Sequence, residues 1–160
     1  MSTQLSLNTQ SLQSDGRSNL MVVSIDDFNM YLSRDDIQAF ESIHELDTGD
    51  ICTGSIGWVK YLGDKIPVYC FTRDFDISAY RLENRSICVI LDKVNIAFMC
   101  SDIRVMSHNV ENIVPLPQCM SVSSTPVEAF CLYKYDNTIR TAMLCSSKSI
   151  QKYIGLASRK

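Results

Sequence analysis

The sequence predicts a mostly β protein in which short antiparallel hairpins close on themselves as small barrels. Short apolar, β-branched and aromatic runs recur along the chain, and each meets the next at a polar turn. No segment with helical spacing is long enough to build a bundle. With so many short strands and so few covering helices, closure is the economical way to remove exposed strand edges.

The elements follow in order. Met1 to Asn19 is rich in Ser, Gln, Thr and Asn and includes Asp15-Gly16; it is read as a flexible polar tail, so residues 1–19 stand apart from a folded part beginning at Leu20. Leu20 to Ile25 and Phe28 to Leu32 form a first hairpin across Asp26-Asp27, whose short side chains bond nearby backbone and tolerate left-handed conformations. Ser33-Arg34-Asp35-Asp36 reads as a helix start, and Ile37 and Phe40, three apart, would give that helix one apolar face.

Trp58 to Leu62, a turn at Gly63-Asp64-Lys65, and Ile66 to Phe71 make the second hairpin. Asp76 to Leu82 is a second short helix candidate. Ser86 to Leu91 pairs with Val94 to Met99 across Asp92-Lys93, and Ala129 to Tyr135 pairs with Ile139 to Cys145 across Asp136-Asn137-Thr138. Between these last hairpins, Ser107 to Pro126 carries three of the four prolines and reads as a long crossing connection. Ser147 to Ile154 is the closing helix, with Gly155 as its stop.

Composition narrows the function classes. A chain of 160 residues can bury about 70% of its unfolded surface, enough for one sizeable core or two small ones sharing an interface. The 18 acidic and 15 basic side chains leave a net charge of −3, which gives no global attraction to phosphate. No apolar stretch approaches the roughly 20 residues needed to span a bilayer, and the start lacks the basic and apolar parts of a secretory signal, so a cytoplasmic location is expected.

The seven cysteines are odd in number, lack a Cys-x-x-Cys pair and sit mostly in apolar runs, as reduced core thiols do. Neither a metal site nor a cofactor is expected. No Walker-type loop, Gly-x-Gly-x-x-Gly, His-Glu-x-x-His or Gly-x-Ser-x-Gly is present, so no catalytic residue is assigned and the chain is not expected to be an enzyme. Asp26-Asp27 and Asp35-Asp36 are explained by turn and helix-start chemistry, and Asp74 with Asp76 by a solvated loop. A hydrolase using a cysteine with His44 or His108 is the least favoured reading.

The order of elements, together with one segment, carries a resemblance. Gly57-Trp58-Val59-Lys60-Tyr61-Leu62-Gly63-Asp64-Lys65-Ile66-Pro67-Val68 is similar to the glycine, apolar strand, Asn-Leu-Arg, glycine, Ile-Pro-Val stretch of the CheW-like domain family. Gly57, Gly63, Ile66, Pro67 and Val68 keep their places. Ile87 to Leu91, Val94 to Met99 and Asp102-Ile103-Arg104-Val105 resemble the family's third hairpin and the Asp-x-x-Val after it. The likeness runs over residues 20–156 and leaves 157–160 as a C-terminal tail.

The resemblance implies two intertwined five-stranded SH3-like β-barrels with a few short helices. It also implies an adaptor that couples a chemoreceptor-like helical tip to a histidine kinase regulatory domain in a chemosensory or pilus-motility pathway. The family's Asn and Arg are replaced here by Lys60 and Leu62, and leucine offers neither charge nor hydrogen bond. The residues assigned to partner binding are Ile37 and Phe40 together with Gly57, Trp58, Lys60, Leu62 and Gly63. Strand alternation places Trp58, Lys60 and Leu62 on one face. An alternative is a small barrel that binds single-stranded nucleic acid by stacking on Trp58, Tyr61, Tyr69 and Phe71 beside Arg73, Lys60 and Lys65.

Overall fold

The chain begins with a tight hairpin. In the computed structural model, which describes residues 20–105, 112–120 and 125–157, β1 (Leu20–Ile25) and β2 (Phe28–Ser33) pair antiparallel with Ile25 opposite Phe28. Asp26 takes the left-handed conformation that the turn demands, at φ 52°. The expected tail 1–19, the residues 158–160, and the parts of the crossing connection at 106–111 and 121–124 lie outside the described residues.

The helix expected after Ser33 is a single 3₁₀ turn, Arg34–Asp36, and the chain then runs on as β3 (Ile37–Ser42). Ser33 caps that turn as expected, its hydroxyl accepting the Asp35 N–H at 3.3 Å. The three-residue spacing of Ile37 and Phe40 has a different cause from helical periodicity. β3 pairs with β6 (Ile87–Leu91) through a bulge between Ile37 and Ala39, so Ile37 faces Leu91 while Phe40 faces Val89. The extra residue shifts the alternation by one and returns both side chains to the same face.

The second hairpin joins β4 (Gly57–Tyr61) to β5 (Asp64–Cys70), and its turn is Leu62-Gly63 rather than Gly63 to Lys65. Both turn residues have positive φ, 50° and 86°, the form whose twist matches the flanking strands. No helix forms over 76–82. The Thr72 hydroxyl accepts the N–H groups of Asp74 and Asp76 at 3.3 and 3.1 Å, Phe75 sits at φ 66°, and Ser78 N–H donates to Cys70 O, so local bonds displace the helical ladder.

β6 and β7 (Ala97–Cys100) form the third hairpin, with a turn that extends to Asn95 because Leu91 N–H donates to Ile96 O. β8 (Asp102–Val105), β9 (Asn112–Pro115), a 3₁₀ turn at Gln118–Met120, β10 (Ala129–Tyr135) and β11 (Thr138–Leu144) follow. The β10–β11 turn is Asp136-Asn137, both left-handed, and the expected extended run through Val114 and Pro115 is the strand β9.

The closing helix α1 (Ser147–Ala157) starts at a reciprocal cap: Ser146 Oγ accepts Ser149 N–H at 3.0 Å and Ser149 Oγ accepts Ser146 N–H at 2.9 Å. Gly155 does not stop it. That residue lies within the helix with no neighbour near its missing Cβ, so the glycine is accommodated without ending the ladder.

The strands form two sheets, ordered β8-β1-β2-β11-β10-β9 and β3-β6-β7-β5-β4, so the first has one strand more than expected. Each contains one parallel pair, β2 with β11 and β5 with β7, where the chain returns from elsewhere. The main core lies between the sheets: Val23, Ile25, Met30 and Leu32 from the first meet Phe71, Val89, Leu91 and Phe98 from the second. α1 covers this core with Ile150, Tyr153 and Ile154, spaced three and four apart on one face. Each sheet also curls around a smaller interior of its own, with Val22, Tyr31, Cys131 and Tyr133 in the first and Ile66, Val68, Ile90 and Met99 in the second.

Candidate protein-binding surface

The assigned residues fall at the two ends of the second sheet's strand order, Ile37 and Phe40 on β3, Gly57 to Gly63 on and after β4. The structure does not bring them together by strand pairing. An intervening connection spans the gap, with Asp47 bridged to Trp58 by backbone bonds of 2.7 and 3.3 Å in opposite directions.

On β3, Ile37 is half-buried against the main core, whereas Phe40 is 51% exposed. β3 ends its sheet, so no further strand covers Phe40 on that side. Phe40 therefore presents an aromatic ring to solvent at the margin of the shared core.

Gly57 is buried, and a Cβ there would stand 2.8 Å from Asp47 O and 2.9 Å from Leu46 Cβ. Its role is close backbone approach between β4 and the connection. Trp58 is half-buried; its Nε1–H donates to Asp50 O at 2.9 Å, and the Lys65 ammonium lies 5.2 Å from its ring centroid. Lys65 also reaches Asp47 at 3.8 Å.

Lys60 is exposed and directly opposite Lys65, so the outer face of this hairpin concentrates positive charge on a chain of net charge −3. Leu62 does not share that face as expected. It occupies the turn, where it is 80% exposed and at φ 50°, a conformation disfavoured for a side chain of this size. The turn is one residue tighter than expected because Asp64 already pairs with Tyr61.

Tyr61, Tyr69 and Phe71 do not form the expected nucleic-acid platform. Tyr69 and Phe71 are buried in the core between the sheets, and Tyr61 packs into the second sheet's interior, so these side chains offer no row of aromatic faces for stacking.

The cysteines divide by burial. Cys70, Cys88, Cys100, Cys131 and Cys145 are buried, Cys52 and Cys119 exposed. Burial among apolar groups pushes the Cys88, Cys100 and Cys131 thiols up to about 12, so they are protonated and unreactive at neutral pH. His44 is exposed, while His108 lies outside the described residues. Among the described residues no three His, Cys, Asp or Glu side chains gather as metal ligands, and no helix is long and apolar enough to cross a membrane.

Sequence patterning missed the contact that joins the sheets. Arg85, 1% exposed, sends both terminal nitrogens to the Asp26 carboxylate in the β1–β2 turn, with Nη2 at 2.9 Å from Oδ2 and 3.1 Å from Phe71 O. The guanidinium beside Asp26 holds its carboxyl below the usual value, while Arg85 Nε has no hydrogen-bond partner. Nearby, Arg81 donates to Arg85 O, His44 O and Ile43 O. An arginine before an apolar strand looks like a solvated charge, and the only signal would have been an acid in a turn elsewhere.

The paired curled sheets have a known counterpart. The crystal structure of the scaffolding protein TtCheW from Thermoanaerobacter tengcongensis superposes with a TM-score of 0.61 at 16% identity, over 79% of this chain and 87% of that one. The fold is CheW-like. No protein-family model and no curated protein matches the sequence, so the likeness is one of architecture. The CheW-like arrangement sets β3 and the β4–β5 hairpin at opposite ends of one curled sheet.

Proposed function

We propose that this chain is a non-catalytic adaptor that couples a chemoreceptor-like helical tip to a histidine kinase regulatory domain, in a chemosensory or pilus-motility pathway and in the cytoplasm. The observation that carries the proposal is Leu62. A bulky apolar side chain stands exposed at a left-handed turn position where Asn or Gly would be more comfortable, so local folding does not account for it. Phe40 is a second exposed apolar side chain on an edge strand. Lys60 and Lys65 set charge beside the hairpin's apolar residues, the mixture of apolar centre and polar rim that protein interfaces use.

The CheW-like architecture supports this reading, since the similar TtCheW is a scaffolding protein. Gly57 and Gly63 act as positioning residues, one by close approach and one by turn geometry, and Ile37 anchors the strand that presents Phe40.

The experiment is a binding titration of the full chain against a receptor cytoplasmic hairpin and, separately, a kinase regulatory domain from the source cell. Saturable binding to one of them that weakens in Leu62→Ser or Phe40→Ser supports the proposal. Absence of binding to both overturns it. Leu62→Arg tests whether this turn is a weakened form of the family's interface, in which case affinity rises.

A further inference from the structure

The segment between β5 and β6 carries two arginines whose hydrogen bonds reach in opposite directions. Arg85 is held in the core and clasps Asp26, which belongs to the first sheet's leading turn, together with Phe71 O at the end of β5. Arg81 spends its donors on three carbonyls: Arg85 O at 2.8 Å, His44 O at 2.9 Å and Ile43 O at 2.7 Å. Ile43 N–H also donates to Ser86 O at 2.9 Å. An unbroken path therefore runs from residues 43–44, just past β3, through Arg81, the Arg85 backbone and the Arg85 guanidinium to the β1–β2 turn.

Two properties make this path stiff. A guanidinium is planar and fixes its donors in one fork, so a carbonyl at one prong cannot shift without disturbing the others. The Arg85 end is also shielded, since Arg85 is 1% exposed and its bond to Phe71 O is buried. A buried pair of this kind is a poor source of net stability compared with apolar packing, and fixing a relative orientation is the better-attested use. The unpartnered Nε of Arg85 agrees with a group kept for its position.

We infer that Arg81 and Arg85 form a mechanical coupler between the end of β3 and the β1–β2 turn, so that displacement of either end loosens the other across the boundary between the sheets. Phe40 lies on β3, shortly before the clasped carbonyls. Under the adaptor reading above, a partner that grips β3 is registered by the opposite sheet through these two side chains. The coupling itself does not depend on that reading.

Amide hydrogen exchange on the full chain tests it without any partner, so its failure leaves the adaptor reading standing. Asp26→Asn keeps a residue that tolerates the turn but removes the charge that Arg85 clasps. It is expected to speed exchange at Ile43 about fivefold or more beyond the acceleration that the general loss of stability brings to the β10–β11 hairpin. Arg81→Gln is expected to do the same at Ile25 and Phe28, and the double variant to change either remote amide no more than the single variant does.

Effects confined to each variant's own end overturn the coupler. So does an acceleration at the remote amides no greater than that at β10–β11, which would mark a merely stabilising role. If Asp26→Asn does not fold, Arg81→Lys, which keeps the charge and loses the fork, decides the question at Ile25 and Phe28 alone.

Discussion

Asp26→Asn is the perturbation whose energetic consequence the structure constrains most closely. The substitution leaves the turn geometry acceptable, since Asn tolerates the left-handed conformation that Asp26 adopts at φ 52°. It strips the carboxylate bonded to Arg85, whose side chain is 0% exposed. Leaving one partner of a buried pair uncompensated costs about 3–5 kcal/mol. The Asp26 side chain is 37% exposed, so water supplies part of what the carboxylate did; the discounted loss is about 2–3 kcal/mol.

In a urea titration followed by Trp58 fluorescence, that loss appears as a midpoint lowered by about 1 M with an unchanged slope. Arg85→Met should cost less, because it removes the buried charge and the orphaned Nε together and leaves Asp26 facing water. The pH dependence has a definite sign. The folded Asp26 carboxyl titrates below its ordinary 3.8, so its contribution is complete above that value and is lost as pH falls through the lower, folded value. The gap between the native chain and Asp26→Asn should therefore hold at neutral pH and close in strong acid. Equal stability of the two at pH 7, or a larger loss in Arg85→Met than in Asp26→Asn, would refute the reasoning.

Three further outcomes are expected. A thiol reagent should react quickly with exposed Cys52 and Cys119, while Cys70, Cys88, Cys100, Cys131 and Cys145 are modified only on unfolding; rapid reaction at any of those five would contradict their burial. Because Cys88, Cys100 and Cys131 are raised from 9.0 to about 12 when folded, stability should fall as pH rises above 9, at about 1.4 kcal/mol per unit for each thiol, which circular dichroism across an alkaline titration would show. Gly57→Ala should lose about 1–3 kcal/mol in thermal unfolding because its Cβ would meet Asp47 O at 2.8 Å, while Leu62→Asn should gain about 0.5–1 kcal/mol by relieving the turn; the reverse order would show that the β4–β5 hairpin is built differently.

Much of the fold was legible because strands and two-residue turns write themselves locally. Asp26-Asp27, Gly63 and Asp136-Asn137 each marked a reversal, and the apolar runs on either side supplied the pairing. The errors have local causes too. Ile37 and Phe40 have the spacing of a helical face because a bulge imitates the three-residue repeat, and the run 76–82 looks helical in sequence because Thr72 capture of nearby N–H groups leaves no mark on hydrophobic periodicity.

The candidate surface was half legible. Gly57 and Gly63 could be found by type and spacing, but the exposure of Phe40 depends on which strand ends the sheet, a property of topology. Arg85 was hidden for the same reason, since its partner Asp26 is brought to it only by the packing of one sheet on the other.

That topology also sets an order of events. All five strands of the second sheet lie within residues 37–100, an uninterrupted stretch with a small interior of its own, whereas the first sheet is assembled from β1 and β2 before that stretch and β8 to β11 after it. Met30 cannot meet Met143 until nearly the whole chain has been synthesised. During translation the second sheet can therefore close first and serve as the template, while the first hairpin waits with its outer edges unpaired. A ribosome-bound chain whose strands through Cys100 have just cleared the exit tunnel should protect β6 and β7 from proteolysis more strongly than β1 and β2, so the nested sheet is the unit that seeds folding and the flanking sheet the one exposed to mispairing.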